Sequence, residues 1–398
     1  MYNHRMTTRG TFLRRTFLKS SAAAPLAATK ASAAKRSGVY DRLGVRPVIN
    51  GMGVVTVLGG SIMPPEVVRA MDDASRSFVQ LPELQRKAGA RIAELLRVPA
   101  AMITCGAASS ITVATAACVA RGEPGKLRRL PDTAGMRNEV IQQKTHRSGY
   151  EAQIGLVGAK VITVETLEEL HSAINDRTAM LFFLNKADPL GKIGRAEWVR
   201  IGKERGVPTF NDAASDATPK ENLWKYVHEG FDLVTFSGGK ALRGPQCSGL
   251  LLGRNDLIEA ALPCMSPSGG IGRGMKVGKE EMAGLVAAVE RYLEVDHEAE
   301  FRELDNRVSH IIETLSPIKG LTLERHIPVI ANEVPHAMIT WEEPALRITA
   351  QEAVKKLIEG EPSIAVLQQG PGKLLVSVWM MRSDEHRIVA KRLRQIFS

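Results

Sequence analysis

Between Ala101 and Gly253 the chain repeats one pattern, a short apolar run followed by a helical stretch, and that repetition leaves few folds open. The runs Ala101–Thr104, Glu139–Gln142, Lys160–Val164, Thr178–Asn185, Val207–Phe210 and Phe231–Phe236 have the length and residue types of buried strands. Helical stretches separate them, among them the Ala-rich segment that ends near Ala120 and the stretch Leu167–Asn175. Alternation of this kind predicts a mainly parallel sheet with helices on both faces. Ligands collect at the strand ends of such sheets. Two of these runs end on reactive residues: Val207–Phe210 leads into Asn211-Asp212, and Phe231–Phe236 leads into Ser237-Gly238-Gly239-Lys240.

The rest of the chain divides around that core. Pro64 to Ser77 and Leu84 to Leu96 have helical periodicity, and Lys279 to Ser316 reads as one long helix or two stacked ones, bridging to a second domain. Beyond it, Leu321–Glu324, Ala337–Trp341, Thr349–Glu359, Leu374–Val378 and Asp384–Phe397 alternate strand and helix in a small C-terminal α/β domain. The expected division is 34–285 for an N-terminal arm and the large domain, and 286–398 for the linker helix and the small one. Gly269–Gly274 contains a G-x-G-x-G run, but it follows prolines rather than a buried strand, so a dinucleotide site is not expected there. Gly370-Pro371-Gly372-Lys373 lacks the spacing of a phosphate-binding P-loop.

Charge argues against nucleic acid. The net charge of +10 includes six basic residues and no acidic ones within residues 1–33; without them it falls to +4. That opening segment carries Arg14-Arg15-Thr16-Phe17-Leu18-Lys19, an apolar run from Ala22 to Ala28, and Ala31-Ser32-Ala33. It resembles a twin-arginine export signal, with cleavage expected after Ala33 and a periplasmic or exported protein as the result. If the leader does not act, the protein stays cytoplasmic. No stretch reaches the roughly 18 apolar residues of a membrane helix. The cysteines Cys105, Cys118, Cys247 and Cys264 show no metal-ligand spacing, so no metal site is expected.

The strand-end residues gain meaning from the chemistry of pyridoxal phosphate. That cofactor needs a lysine for its aldehyde, a carboxylate against its ring nitrogen, an anion cradle and a ring-stacking partner. Lys240 and Asp212, 28 residues apart, supply the first two. The small residues Gly106, Ala107 and Ser109 run into a helix start after a strand, which suits a phosphate. Ser237 stands ready to assist there, and His146, at the end of another strand, to stack on the ring.

Several stretches then carry a family likeness: Val48-Ile49-Asn50-Gly51, Leu58-Gly59-Gly60-Ser61, Thr104-Cys105-Gly106-Ala107-Ala108-Ser109, Asn211-Asp212-Ala213-Ala214, Phe236-Ser237-Gly238-Gly239-Lys240 with Gly244-Pro245-Gln246, and Gly272-Arg273-Gly274-Met275-Lys276-Val277-Gly278-Lys279. The chain resembles the fold-type-I pyridoxal phosphate enzymes, in the group of selenocysteine synthase (L-seryl-tRNA(Sec) selenium transferase) and D-glucosaminate-6-phosphate ammonia-lyase. The resemblance runs from about residue 40 to the end and fades over the last hundred residues. It implies an aminotransferase-like α/β fold, a Schiff base on Lys240, a homodimer or higher homo-oligomer, and an arginine of the small domain, here Arg382, for the substrate carboxylate. The departures are Cys105 and Ser109-Ser110 in the phosphate loop. The function expected is α,β-elimination from a small amino acid or amino-sugar acid, of the ammonia-lyase or dehydratase type. The alternatives are β-replacement on seryl-tRNA and a non-catalytic member of the fold. An export leader separates the protein from charged tRNA, which favours elimination.

Overall fold

The computed structural model describes residues 38–398; the leader expected at 1–33 lies outside the described residues. Residues 38–47 hold one short helix, Val39–Arg42, closed by the Gly38 N–H donating to the Asp41 carboxylate at 2.8 Å. Val48–Ser398 form one compact unit. Its strands are β1 (Val48–Gly51), β2 (Ala100–Thr104), β3 (Glu139–Gln143), β4 (Lys160–Val164), β5 (Thr178–Leu184), β6 (Thr209–Asp212), β7 (Leu233–Ser237) and β8 (Gly249–Gly253). Four more follow: β9 (Leu321–His326), β10 (His336–Trp341), β11 (Ser363–Gly370) and β12 (Lys373–Ser377).

Seven of them form the large sheet, in the order β2-β8-β7-β6-β5-β3-β4. All neighbouring pairs are parallel except those of β8, which runs antiparallel to both β2 and β7. Strands β3, β5, β6 and β8 are buried at every position, as a sheet covered on both faces requires. The helix Ala107–Ala120 packs against this sheet and is buried along almost its whole length, including its Ser and Thr residues. A helix built of small residues all round can sit inside a core, where a longer-chained amphipathic one cannot.

The register of the large sheet brings the reactive strand ends together. Thr104 of β2 stands opposite Gly249 of β8, and Gly249 stands opposite Ser237 of β7. Two residues back along β7, Thr235 is opposite Asp212 of β6, which faces Leu184 of β5.

The small sheet has the order β1-β11-β12-β10-β9, antiparallel throughout except for the parallel pair β1 and β11. It draws on both ends of the described chain, since β1 precedes the large sheet in sequence. The sequence pattern predicts neither β8 nor β11 and does not single out β1 as a strand. Gly249-Leu250-Leu251-Leu252-Gly253 is short and glycine-flanked, and β11 turns polar at Gln368 and Gln369, so neither carries a clear periodic signal. Gly370 to Lys373 is the tight turn between β11 and β12, as its lack of P-loop spacing anticipates. The bridging segment is two helices, Lys279–Glu294 and His297–Leu315. The break falls where the Asp296 carboxylate caps the second helix by accepting from Ala299 N–H at 2.9 Å.

Gly249 is where the sheet meets the start of the Ala-rich helix. A Cβ there would stand 2.6 Å from the Gly106 carbonyl carbon and 2.8 Å from the Ala107 nitrogen, both backbone atoms without a flexible way out. Gly249→Ala should therefore cost about 1–3 kcal/mol, read as a lower thermal midpoint. An unchanged midpoint would contradict this close approach.

Candidate active site

The site begins at the end of β6. Asp212 is buried, and one of its oxygens, Oδ1, accepts from the Ala214 N–H at 3.1 Å. Burial pushes its carboxyl above the ordinary aspartate range, while the Ala214 N–H and the nearby amines of Lys240 and Lys186 pull it back. Lys240 sits in the tight turn after β7. Burial moves its ammonium below the ordinary lysine value, opposed by Asp212. Its Nζ donates to Ser215 Oγ at 2.6 Å.

The same strand-end loop contains a second acid. Asp216, four residues after Asp212, is 1% exposed, and its Oδ1 has no hydrogen-bond partner. Burial raises its carboxyl to about 6, the negative charge of Asp212 adds to the rise, and a hydrogen bond from Asn185 opposes it. Asn185 lies in a buried polar cluster beneath the loop. Its Nδ2 donates to Tyr226 Oη at 3.0 Å, and its Oδ1 accepts from Arg195 and from Asn211, both at 3.2 Å.

The opposite wall is the start of the helix Ala107–Ala120. Gly106 has φ of 139°, a left-handed-side conformation that suits glycine, and it turns the chain so that the helix N-terminus faces the strand ends. Gly106, Ala107, Ala108, Asp212, Ser237 and Lys240 line one cavity of about 360 Å³. Its floor thus offers a buried amine beside a buried acid, and its far wall the positive end of a helix dipole, an arrangement able to hold an anion and move a proton. Lys240 also walls a second cavity, of about 500 Å³, together with Tyr150, Ser215, Asn332, His336 and Ser377. Tyr150 borders both.

The structure brings Gly106, Ala107, Asp212, Ser237 and Lys240 into one place and sets three other expected residues apart. The Ser109 hydroxyl donates to the Gly106 carbonyl at 2.7 Å, which closes the helix's own first turn, and the residue does not line the cavity. His146 is fully buried under the strand ends and lines neither cavity. The short turn Lys144–His146 folds its ring back onto the sheet. There Nδ1 accepts from Leu184 N–H at 3.1 Å, Gln143 Nε2 lies 3.2 Å from Nε2, and the ring stands edge-on to Phe183 at 4.5 Å. Burial lowers its pKa to about 4, so it is neutral at ordinary pH. Arg382 is exposed at the approach to the last helix, where its N–H donates to Glu385 Oε2 at 2.8 Å, and it too lines neither cavity.

Sequence reasoning missed Tyr150, Ser215, Asp216, Asn332 and His336. Ser215 and Asp216 were within reach, because Asp212-Ala213-Ala214-Ser215-Asp216 places a hydroxyl and a second carboxylate on the loop already singled out. Asn332 and His336 carry no local signal. They arrive from the small sheet, with Asn332 N–H donating to the Ser215 carbonyl at 2.9 Å.

Asp216 makes a pH test available. Its carboxyl is raised in the folded protein, so its contribution to stability is full below the unfolded value of about 4 and is lost as pH rises through about 6. Asp216→Asn has no such loss. The stability of the variant relative to the parent should rise by roughly 3 kcal/mol between pH 4 and pH 7. Parallel denaturant titrations would measure it, and a constant difference across that range would rule out a buried titrating Asp216.

Comparison with known proteins bears on this geometry. The SelA family, L-seryl-tRNA selenium transferase, matches residues 145–306. The 5'-C-glycyluridine monooxygenase-decarboxylase of a Streptomyces species is 32% identical over 90% of this chain and 91% of its own length. The D-glucosaminate-6-phosphate ammonia lyase of Salmonella typhimurium is 30% identical, over 90% of this chain and 97% of its own. A solved structure of a D-glucosaminate-6-phosphate ammonia-lyase superposes with a TM-score of 0.79 at 28% identity, covering 91% of this chain and 98% of that one.

Proposed function

This chain belongs to the family that contains the L-seryl-tRNA selenium transferases and the D-glucosaminate-6-phosphate ammonia lyases, and from that premise we propose that it is a pyridoxal-phosphate-dependent lyase acting on a small amino acid or amino-sugar acid. The fold is the aminotransferase-like α/β arrangement of fold type I. The observation that carries the reading is the pairing of a buried Lys240 with a buried Asp212 in one cavity with the Gly106–Ala108 helix start.

The residues present fit the cofactor. Asp212 is a buried carboxylate with one oxygen bonded to a backbone N–H, which suits a partner that is a protonated ring nitrogen. The N–H groups at the start of the helix, flanked by alanines, suit a phosphate, with Ser237 beside them. Lys240 would hold the aldehyde carbon. When bound, the pyridinium ring supplies the electron sink that makes an α-proton of an amino acid removable.

The chain's own groups then divide the work. Desolvation favours the neutral amine of Lys240, the form that accepts a proton. Ser215 Oγ, at 2.6 Å, holds that amine in place at the junction of the two cavities. Loss of a β-hydroxyl as water from a 2-amino-3-hydroxy acid, followed by hydrolysis, yields a 2-keto-3-deoxy acid and ammonia, with no change of oxidation state overall.

Purified protein reconstituted with pyridoxal phosphate should show a visible absorption band that borohydride treatment abolishes, leaving the cofactor fixed to the chain as a covalent adduct. Lys240→Ala should lose the adduct, and ammonia release should fall by at least about 10³-fold. A colourless parent that stays colourless with added cofactor would refute the reading. Ammonia and keto acid formed without oxygen uptake mark the lyase; oxygen uptake with carbon dioxide release would replace it by an oxidative decarboxylation of the kind the Streptomyces relative is named for.

Two further parts belong to the same proposal. Homo-oligomerisation is supported by the exposed apolar side chains of Val57, Ile62, Val68, Phe78 and Val79 along one stretch of chain. Export is supported by the Arg14-Arg15 leader. With Arg14 and Arg15 both changed to Lys, the protein should accumulate uncleaved in the cytoplasm. Unchanged export, followed by cell fractionation, would rule out the twin-arginine route.

A further inference from the structure

We infer that Tyr150 supplies the aromatic face on which the pyridine ring of the cofactor stacks, the part that a strand-end position suggests for His146. The inference rests on the pyridoxal phosphate reading of the site and goes beyond it in naming the side chain that covers the ring. The chain itself separates the two candidates. His146 has no accessible surface, and the groups its ring touches, Leu184, Gln143 and Phe183, belong to the same chain, so assembly with a partner subunit does not uncover it. Tyr150, four residues further on, is 47% exposed and lines the cavity that contains Gly106, Ala107, Asp212, Ser237 and Lys240.

Local hydrogen bonds carry Tyr150 to that wall. After β3 the turn Lys144–His146 folds the histidine inward, and a second short turn, Gly149–Glu151, follows. Ser148 caps the second turn: its Oγ accepts from the Tyr150 N–H at 3.3 Å, and its own N–H donates to Glu151 Oε1 at 3.1 Å. The same Glu151 oxygen accepts from Gln142 Nε2 of β3 at 2.7 Å and from Arg147 Nε at 3.2 Å. The backbone on both sides of Tyr150 is thus tied to the end of β3. Two residues past Glu151, the Gln153 side chain accepts from Thr112 Oγ1 at 3.0 Å, which ties the segment to the helix whose start faces the strand ends. Tyr150 is therefore held over the cavity by the elements that build the cavity.

The chemistry of the ring decides what such a side chain can do. Asp212 suits its nitrogen, Lys240 its aldehyde and the Gly106–Ala108 helix start its phosphate, so the groups around the ring's edge have partners and its two faces remain to be covered. An aromatic face is apolar and carries a quadrupole, and an offset aromatic neighbour stabilises it beyond the area the contact covers. Tyrosine presents such a face while its hydroxyl keeps to a wetter place. Tyr150 has that choice, because it borders the second cavity as well as the first.

The test is the affinity of the cofactor-free protein for 4'-deoxypyridoxine 5'-phosphate, which keeps the ring and the phosphate but has no aldehyde, so that its binding reads the non-covalent contacts without the bond to Lys240. In calorimetric titration Tyr150→Ala should bind it roughly tenfold or more weakly than the parent. Tyr150→Phe keeps the ring and loses only the hydroxyl, and should stay within about twofold of the parent. His146→Asn, whose side-chain oxygen replaces Nδ1 as the acceptor for the Leu184 N–H, should also stay within about twofold. Three results would each overturn the inference: Tyr150→Ala binding as tightly as the parent, Tyr150→Phe falling as far as Tyr150→Ala, or the loss appearing in His146→Asn instead. The two readings fail in different ways. A parent that binds neither the analogue nor pyridoxal phosphate refutes the cofactor reading and this inference with it, whereas a parent that binds both, with no loss in Tyr150→Ala, refutes this inference alone.

Discussion

The candidate site depends on the register of four neighbouring strand ends. Thr104, Gly249 and Ser237 lie in one row across β2, β8 and β7, and Thr235 and Asp212 pair two rows back across β7 and β6. Two residues past Thr104 comes Gly106, and three past Ser237 comes Lys240. A slip of one residue in any of these pairings would turn Asp212 or Ser237 to the other face of the sheet. The tight junction between Gly249 and the Gly106 turn holds the rows to the helix start, so that helix start, acid and amine line one cavity.

Burial then sets the chemistry. Asp212, Asp216 and Lys240 share a poorly solvated loop, and each is shifted toward its neutral form: both acids upward, the lysine downward. Attraction between Lys240 and the two acids limits those shifts without cancelling them, while the charge of Asp212 adds to the rise of Asp216. A charged pair on the surface would bind water and remain inert; here the amine is biased toward proton acceptance while a carboxylate waits for a cationic partner. The polar cluster of Asn185, Asn211, Arg195 and Tyr226 fixes the loop from below, and the Asn332 N–H fixes it from the side of the small sheet.

Much of this was legible in the residues. The alternation of strands and helices implied a mainly parallel sheet, and the residues at two strand ends, Asp212 and Lys240, stood out as the pair on which the proposed chemistry rests. The helix start at Gly106 was legible as a strand running through small residues into a helix, a pattern that packing alone also produces, and only the fold places it in one cavity with Asp212 and Lys240. His146 misled, because a histidine at a strand end looks like a ligand, and only its packing reveals that Leu184, Gln143 and Phe183 already surround it. Arg382 misled in a similar way. An arginine near the end of a small-domain strand fits the expected role, but the backbone turns it outward at the start of the final helix.

The sequence by itself determined the elements and the reactive groups they carry, since hydrophobic period and residue type are local properties of a chain. It determined, too, that Asp212 and Lys240 end neighbouring elements. What only the tertiary structure decided is which distant segments meet at those ends. The antiparallel insertion of β8 carries Gly249 against Gly106, the loop before β10 and the first residue of β10 bring Asn332 and His336 to the same cavity wall as Lys240, and Tyr150 comes to border both cavities. These contacts join residues separated by roughly one hundred positions or more, and no local pattern encodes them. They arise from the packing of two sheets, whose complementary surfaces exist only once each has formed.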